Sequence, residues 1–342
     1  MKAAVYLGQE HVEVRELPSP VCGDNDVIIQ NLYSSICGTD VAVYTKGPNT
    51  GHKVTVGGEF GHETVSRIVE VGKNVTDLQV GERVYPYPLY AKNDTRRAGT
   101  IGGFSEYILV PEAKRSHSLY AVPEEISDRL ACLIEPFTVG CRAARRGQPQ
   151  EGERAVVFGC GTIGLAAAVA LKYFGMDKVM LCDMSDFRLK IAENLGFAVC
   201  NTKKEDFVKK AAACFGTAPA LTGMVPDIDC WIDAAGAEGI LDSFMQHGKI
   251  ISRFVAVAVN NKPRQIDLLH MTYAQKSIIG SGGYFPEDVR DVMKIMASGK
   301  WNLESIITHE FSLEQISEAI RMAADPDRAF NVTIRFSGDT VI

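Results

Sequence analysis

Paired-cysteine patterns are missing from this 342-residue chain: its nine cysteines include no C-x-x-C pair and form no compact framework. That excludes a small disulfide scaffold. The odd count, behind a start without a signal-peptide pattern, sets the expectation of a reducing cytoplasm. Basic blocks are missing as well. With 36 Lys+Arg against 42 Asp+Glu and a net charge of −6, no phosphate-tracking surface for nucleic acid is expected. A membrane span is excluded too. Ala155–Leu171 carries no charge, but three glycines and Thr162 interrupt it, and it falls short of the roughly 20 apolar residues a span needs. There is no internal repeat and no low-complexity segment. What is present, 46% hydrophobic and 23% charged residues, is ordinary globular composition over a length suited to two or three domains. The expected partner is a small molecule.

Up to about Pro123 the pattern is of short strands (Lys2–Tyr6, Val12–Leu17, Asp26–Asn31, Thr64–Val71, Phe104–Val110) broken by Gly, Pro and Asn turns. This predicts an antiparallel barrel or sandwich. A helix is expected over Leu130–Arg146. After Gln148–Gly152 strands and helices alternate. Strands are read at Ala155–Phe158, Val179–Cys182, Ala198–Cys200, Ile228–Ile232, Ile250–Val257 and Ser277–Ile279. Helices Thr162–Phe174, Asp186–Leu195, Glu205–Phe215 and Gly239–Met245 lie between the earlier ones. Such alternation predicts an α/β fold, a doubly wound parallel sheet with helices on both faces. Two more helices follow Gly283, the second opened by a capping box of Ser312 and Gln315. A last strand, Phe330–Phe336, is expected to rejoin the first domain. The expected limits are 1–142 and 281–342 for one domain and 143–280 for the other.

Gly159-Cys160-Gly161-Thr162-Ile163-Gly164 directly follows a strand and opens a helix. The first glycine suits a tight turn, the second a close backbone approach to pyrophosphate, the third helix–strand packing; the helix start attracts the anion. A structural glycine turn has the same hexapeptide, but here Asp183 ends the next strand, 19 residues beyond Gly164, where a carboxylate accepts ribose hydroxyls. No Arg or Lys follows Asp183 immediately, so NAD is expected over NADP. Arg188 reads equally as an adenine-stacking group or a solvated helix residue.

In the first domain, Cys37-Gly38-Thr39-Asp40 is followed 22 residues after Asp40 by His62-Glu63. A thiolate, an imidazole and a carboxylate together make a zinc site with an open fourth position. Separately each has a bland alternative in core packing or solvation.

Those residues, with Gly102-Gly103-Phe104-Ser105-Glu106-Tyr107, Ile134-Glu135-Pro136 and the glycine fingerprint, occur in an order that resembles zinc-dependent medium-chain alcohol dehydrogenases. The likeness runs from Met1 to about Phe336 and points to the sorbitol, butanediol, threonine and sugar-phosphate dehydrogenase branch. It implies a Rossmann domain plus a GroES-like β-barrel catalytic domain, one catalytic zinc, NAD, and a homodimer or homotetramer. It also implies roles. Cys37, His62 and Glu63 match zinc ligands, and Glu135 matches a carboxylate that ligates, or holds water, in other members. Asp40 matches a residue that orients the His62 ring, and Thr39 the hydroxyl that passes the substrate proton outward. Gly159, Gly161, Thr162, Ile163, Gly164, Asp183 and Arg188 match coenzyme contacts; Ala235, Gly236, Ala256, Val257, Ser281 and Gly282 fall where the family lines the nicotinamide.

Two departures stand out. The interval Tyr85–Ile101, where many members carry four structural-zinc cysteines, has none. Gly283 stands where sorbitol dehydrogenases place an arginine beside the polyol, so sorbitol is expected to be poor and Gly283→Arg to improve polyol turnover. Tyr44 lies one place from the family's substrate aromatic and reads as packing or surface before it reads as a substrate contact, and Arg96 and Arg97 read as a phosphate contact or, more readily, a solvated loop. The leading expectation is NAD-linked oxidation of a secondary alcohol or polyol. Alternatives are a threonine-type amino-alcohol or sugar-phosphate dehydrogenase, and, in another class, a non-catalytic NAD-binding protein. The metal-type residues speak against the last.

Overall fold

The structure is a computed structural model that describes residues 1–91, 100–260 and 262–336. The chain divides into two compact units. One comprises Met1–Glu135, Met296–Gly299 and the chain from Leu303 on; the other comprises Pro136–Ile295 with Lys300–Asn302. The join thus falls at Glu135–Pro136, and residues 281–295 pack with the second unit.

The first unit is built on a mostly antiparallel seven-stranded sheet. Its main path runs Ile307–Ser312, Asn331–Arg335, Val27–Ser35, Glu63–Val71, Arg83–Pro86, Leu119–Ala121, and Tyr107–Val110 pairs with Val27–Ser35 off that path. The expected C-terminal return is there: Thr333 pairs antiparallel with Ser35. A smaller sheet joins Lys2–Gly8 to His11–Glu16 and Gly58–Glu59. Between the sheets Tyr6, Phe60 and Phe104 are fully buried, Phe60 packing edge-on against Phe104 at 5.0 Å between centroids. Such aromatic pairs add about 0.5–1.5 kcal/mol beyond area burial. Here the pair anchors the turn that carries His62.

The second unit is the doubly wound sheet that the alternation predicts. Its six strands are all parallel, in the order Ala198–Asn201, Lys178–Asp183, Arg154–Phe158, Cys230–Asp233, Arg253–Ala256, Ser277–Gly280. The central Ala155–Val157 run is wholly buried, as a strand covered on both faces must be. Trp231 fills the core between Phe158, Phe207 and Phe244.

Two local differences from the sequence pattern have physical causes. The stretch expected as one helix, Leu130–Arg146, is two, Asp128–Ala131 and Ile134–Arg146. Pro136 cannot donate to the carbonyl of Cys132 and its ring would clash there, so the helix must restart. A hairpin of Thr217–Ala220 with Gly223–Pro226 was not expected; two prolines and no β-branched alternation hide it. The capping box at Ser312 and Gln315 is formed. Among the described residues no helix is long and apolar enough to cross a membrane.

Candidate metal and coenzyme site

The metal-type residues meet because two strands pair. Ser35, at the end of one strand, is registered against Glu63, at the start of its antiparallel neighbour. Cys37 lies two residues beyond the first, and His62 one residue before the second. Gly61 makes the approach at φ +87°, and a Cβ there would lie 2.7 Å from the Phe104 ring. Only glycine fits that turn.

Ligand atoms of Cys37, His62 and Glu63 all lie within 4.8 Å of one another. Cys37 caps the helix Gly38–Lys46: its sulfur accepts from the Thr39 hydroxyl at 3.1 Å and from the Thr39 N–H at 3.5 Å. Asp40, fully buried, closes the box through Oδ2, which accepts the Cys37 N–H at 3.0 Å. Its Oδ1 faces His62 Nδ1 at 4.0 Å, and both atoms are buried without a hydrogen-bond partner among the described residues. Glu135 is outside the 4.8 Å group but is buried in the same unit, and its charge helps raise the His62 pKa.

The electrostatics suit a cation. Burial pushes the Cys37 thiol well up, with the Glu63 and Asp40 charges adding to it. Burial likewise raises Glu63, and lifts Asp40 to about 7 against the pull of His62. For His62 burial works downward, but Asp40, Glu135 and Glu63 together outweigh it. Two acids and a thiol enclosed together repel each other once ionised, and a divalent ion reverses each of those penalties. A soft sulfur, an imidazole and a carboxylate are the donor set zinc takes, with a fourth position left over. The residues present fit zinc.

One residue of this cluster has no sequence signal. Gly51 packs so closely on Thr39 that a Cβ would meet the Thr39 carbonyl oxygen at 2.5 Å. The next side chain, His52, is thereby delivered beside Asp40 and His62. Burial and the neighbouring His62 lower its pKa to about 3.

In the second unit the glycine fingerprint has the expected build. Gly159 turns at φ +97°, and a Cβ on Gly164 would lie 1.8 Å from the Gly159 carbonyl oxygen. Gly161 caps the helix Thr162–Tyr173 with no side-chain bond to its first amides. A Cβ on Gly161 would meet only Arg188 Nη1, at 3.7 Å. That open space bounded by helix amides and a guanidinium fits a pyrophosphate. Arg188 Nη1 thus lies close to this turn. Ile163 follows Thr162 in the first turn of the same helix.

Asp183 is more committed than its sequence position suggests. Its carboxylate accepts the N–H groups of Cys160 (2.6 Å), Met184 (2.7 Å) and Ser185 (2.9 Å). It therefore braces the fingerprint turn, with about one of its four lone-pair sites left over for a ribose hydroxyl. Ala235 and Gly236 donate to Asp233 Oδ1, Val257 N–H to the Asp233 carbonyl, and Ser281 N–H to that of Ala256. These residues line the carboxyl ends of the strands, where parallel sheets bind ligands. Ser281 Oγ is buried there without a hydrogen-bond partner among the described residues.

Two residues singled out in the sequence are constrained by the fold. Of the readings of Tyr44, packing is the one seen: it is buried in the core, and its hydroxyl accepts from Arg321 at 3.2 Å. Gly283 is at φ +65°, so an arginine there is strained by roughly 1–2 kcal/mol. Gly283→Arg should therefore lower Tm, whatever it does to polyol turnover. Thermal unfolding checks this, and an unchanged Tm contradicts it. Arg96 and Arg97 lie outside the described residues.

Residues 23–124 match the alcohol dehydrogenase GroES-like domain family, and residues 162–298 the zinc-binding dehydrogenase family. The chain is 29% identical to (R,R)-butanediol dehydrogenase of Bacillus subtilis (strain 168), covering 93% of this chain and 94% of that one. It is 30% identical to L-galactonate-5-dehydrogenase of Escherichia coli (strain K12), covering 89% of each. The structure of an E. coli CFT073 alcohol dehydrogenase complexed with NADH superposes with a TM-score of 0.82 at 25% identity, over 98% of this chain and 99% of that one. The fold, the sulfur–imidazole–carboxylate cluster and these matches define the class: the chain belongs to the zinc-dependent medium-chain alcohol dehydrogenase family. Within it, the chain is an oxidoreductase of the alcohol and polyol dehydrogenase kind.

Proposed function

We propose that the protein oxidises a secondary alcohol bearing a neighbouring hydroxyl or similar polar group, using one zinc and NAD. The observation that carries this is the convergence of Cys37, His62 and Glu63 within 4.8 Å. When bound there, zinc supplies Lewis-acid stabilisation of an alkoxide, and NAD accepts the hydride. Cys37, His62 and Glu63 hold the ion, and Glu135 provides a further carboxylate beside them. Asp40 orients the His62 ring. The Thr39 hydroxyl, 3.1 Å from the Cys37 sulfur, accepts the substrate proton as it leaves and passes its own outward. The turn Gly159–Gly164 and Arg188 take the pyrophosphate. The Asp183 carboxylate repels a 2′-phosphate and so selects NAD. Ala235, Val257, Ser281 and Gly282 form the nicotinamide side of the coenzyme site.

We further propose a homodimer or homotetramer in a reducing cytoplasm. Nine free cysteines support the compartment. Exposed Leu268, Leu269 and Tyr273, just before the edge strand Ser277–Gly280, support an assembly.

A screen of NAD reduction over vicinal diols, polyols, sugar phosphates, 3-hydroxy amino acids and primary alcohols tests the reading. Secondary alcohols with an adjacent hydroxyl should give the highest kcat/KM, sorbitol should be poor, and NADP should be slower than NAD. Ethanol as the best substrate, or no alcohol oxidised by zinc-loaded protein, contradicts it.

A further inference from the structure

His52 belongs to none of the motifs and to no regular element, yet the fold carries it to the carboxylate behind the metal-type cluster. Its Nε2 lies 3.5 Å from Asp40 Oδ1. Its ring stands edge-on to His62, 5.2 Å between centroids at 76°. Both of its ring nitrogens are buried without a hydrogen-bond partner among the described residues, and so is Asp40 Oδ1. That oxygen therefore faces two imidazoles, His52 at 3.5 Å and His62 at 4.0 Å. Asp40 Oδ2 is already fixed by the Cys37 N–H.

A buried carboxylate oxygen left without donors is costly, and networks of this kind stabilise only when every member is satisfied. A contraction of about half an ångström toward His52 and about one ångström toward His62, of the sort catalytic hydrogen bonds undergo when a site is filled, gives Oδ1 one N–H from each ring. The carboxylate is then clamped from three sides and cannot rotate away from His62. The close approach of Gly51 to Thr39, which no side chain larger than hydrogen permits, has a purpose on this reading.

We propose that His52 is a positioning residue: it donates to Asp40 Oδ1 and, through that carboxylate, fixes the His62 ring for zinc. The inference rests on Cys37, His62 and Glu63 being the zinc ligands. Partners that orient ligands in this way typically change metal affinity about 10–100-fold.

The test compares full-length wild type with His52→Leu and His52→Gln, reading zinc affinity by chelator competition and the visible spectrum of the cobalt(II)-substituted protein. His52→Leu should bind zinc about 10–100-fold more weakly and show an altered cobalt spectrum. His52→Gln, whose amide N–H reaches toward the same oxygen, should recover most of both. His52→Ala with and without added imidazole makes the same comparison should the leucine variant fold poorly, and imidazole should restore affinity. Wild-type affinity and spectrum in His52→Leu overturn the proposal, as does a glutamine variant no better than leucine. So does a second metal ion in wild type that is lost with His52, because Asp40, His52 and His62 would then be ligands themselves. If wild type binds no zinc, the ligand assignment fails along with the inference. If wild type binds it and His52→Leu binds it equally, the inference alone fails.

Discussion

Cys37→Ala is expected to lower kcat/KM by at least about 10³-fold, since Lewis-acid stabilisation is worth several kcal/mol and each 1.36 kcal/mol is a factor of ten. The substitution removes the one sulfur of the cluster and leaves an imidazole and a carboxylate, too few protein ligands for a tightly held zinc. It also removes the acceptor for the Thr39 hydroxyl and amide. Loss of a helix cap accounts for only about 1 kcal/mol of stability, so the variant should stay folded while losing metal and activity together. Steady-state kinetics, zinc content and circular dichroism on the same preparation check this. Activity within tenfold of wild type would remove Cys37 from the machinery.

The other large effect concerns coenzyme binding, and it separates two glycines of one motif. A methyl on Gly164 would lie 1.8 Å from the Gly159 carbonyl oxygen and 3.0 Å from its carbon. Both are backbone atoms, so either the turn or the helix Thr162–Tyr173 must move. Overpacking of this kind costs about 1–3 kcal/mol. Gly164→Ala should lower Tm and raise KM for NAD at least tenfold, with zinc content unchanged. Gly161→Ala differs. Its Cβ meets no protein atom closer than 3.7 Å, so Tm should hold while KM for NAD still rises, because the methyl occupies the space assigned to pyrophosphate. Thermal unfolding and NAD kinetics on both variants check the pair. Equal behaviour of the two, or wild-type NAD kinetics in Gly164→Ala, contradicts the distinction.

The coenzyme half was legible because its signal is local. Alternating apolar strands and amphipathic helices, then six residues with glycine at three set places, are dictated by contacts between near neighbours in sequence. The metal half was legible only through ordered motifs, since pairing Ser35 with Glu63 is a long-range event that spacing cannot announce. His52 was not legible at all: its place depends on the backbone contact of Gly51 with Thr39. Asp183 shows another limit. A strand-end carboxylate signals ribose binding, but its bonds to three local amides emerge only from the folded turn. Tyr44 and Gly283 show a related limit. Correspondence along a sequence says nothing of a hydroxyl already bonded by Arg321 or of a φ of +65° that favours glycine.

The central claim is a single catalytic zinc held by Cys37, His62 and Glu63, and metal analysis during chelator titration tests it most directly. Purified protein should contain one zinc per chain, and NAD-linked alcohol oxidation should fall in step with its removal. Tm should change little, since these residues sit in a pre-formed cluster at the ends of paired strands and do not nucleate the fold. Two zincs per chain, or full activity in protein stripped of zinc, would contradict the account.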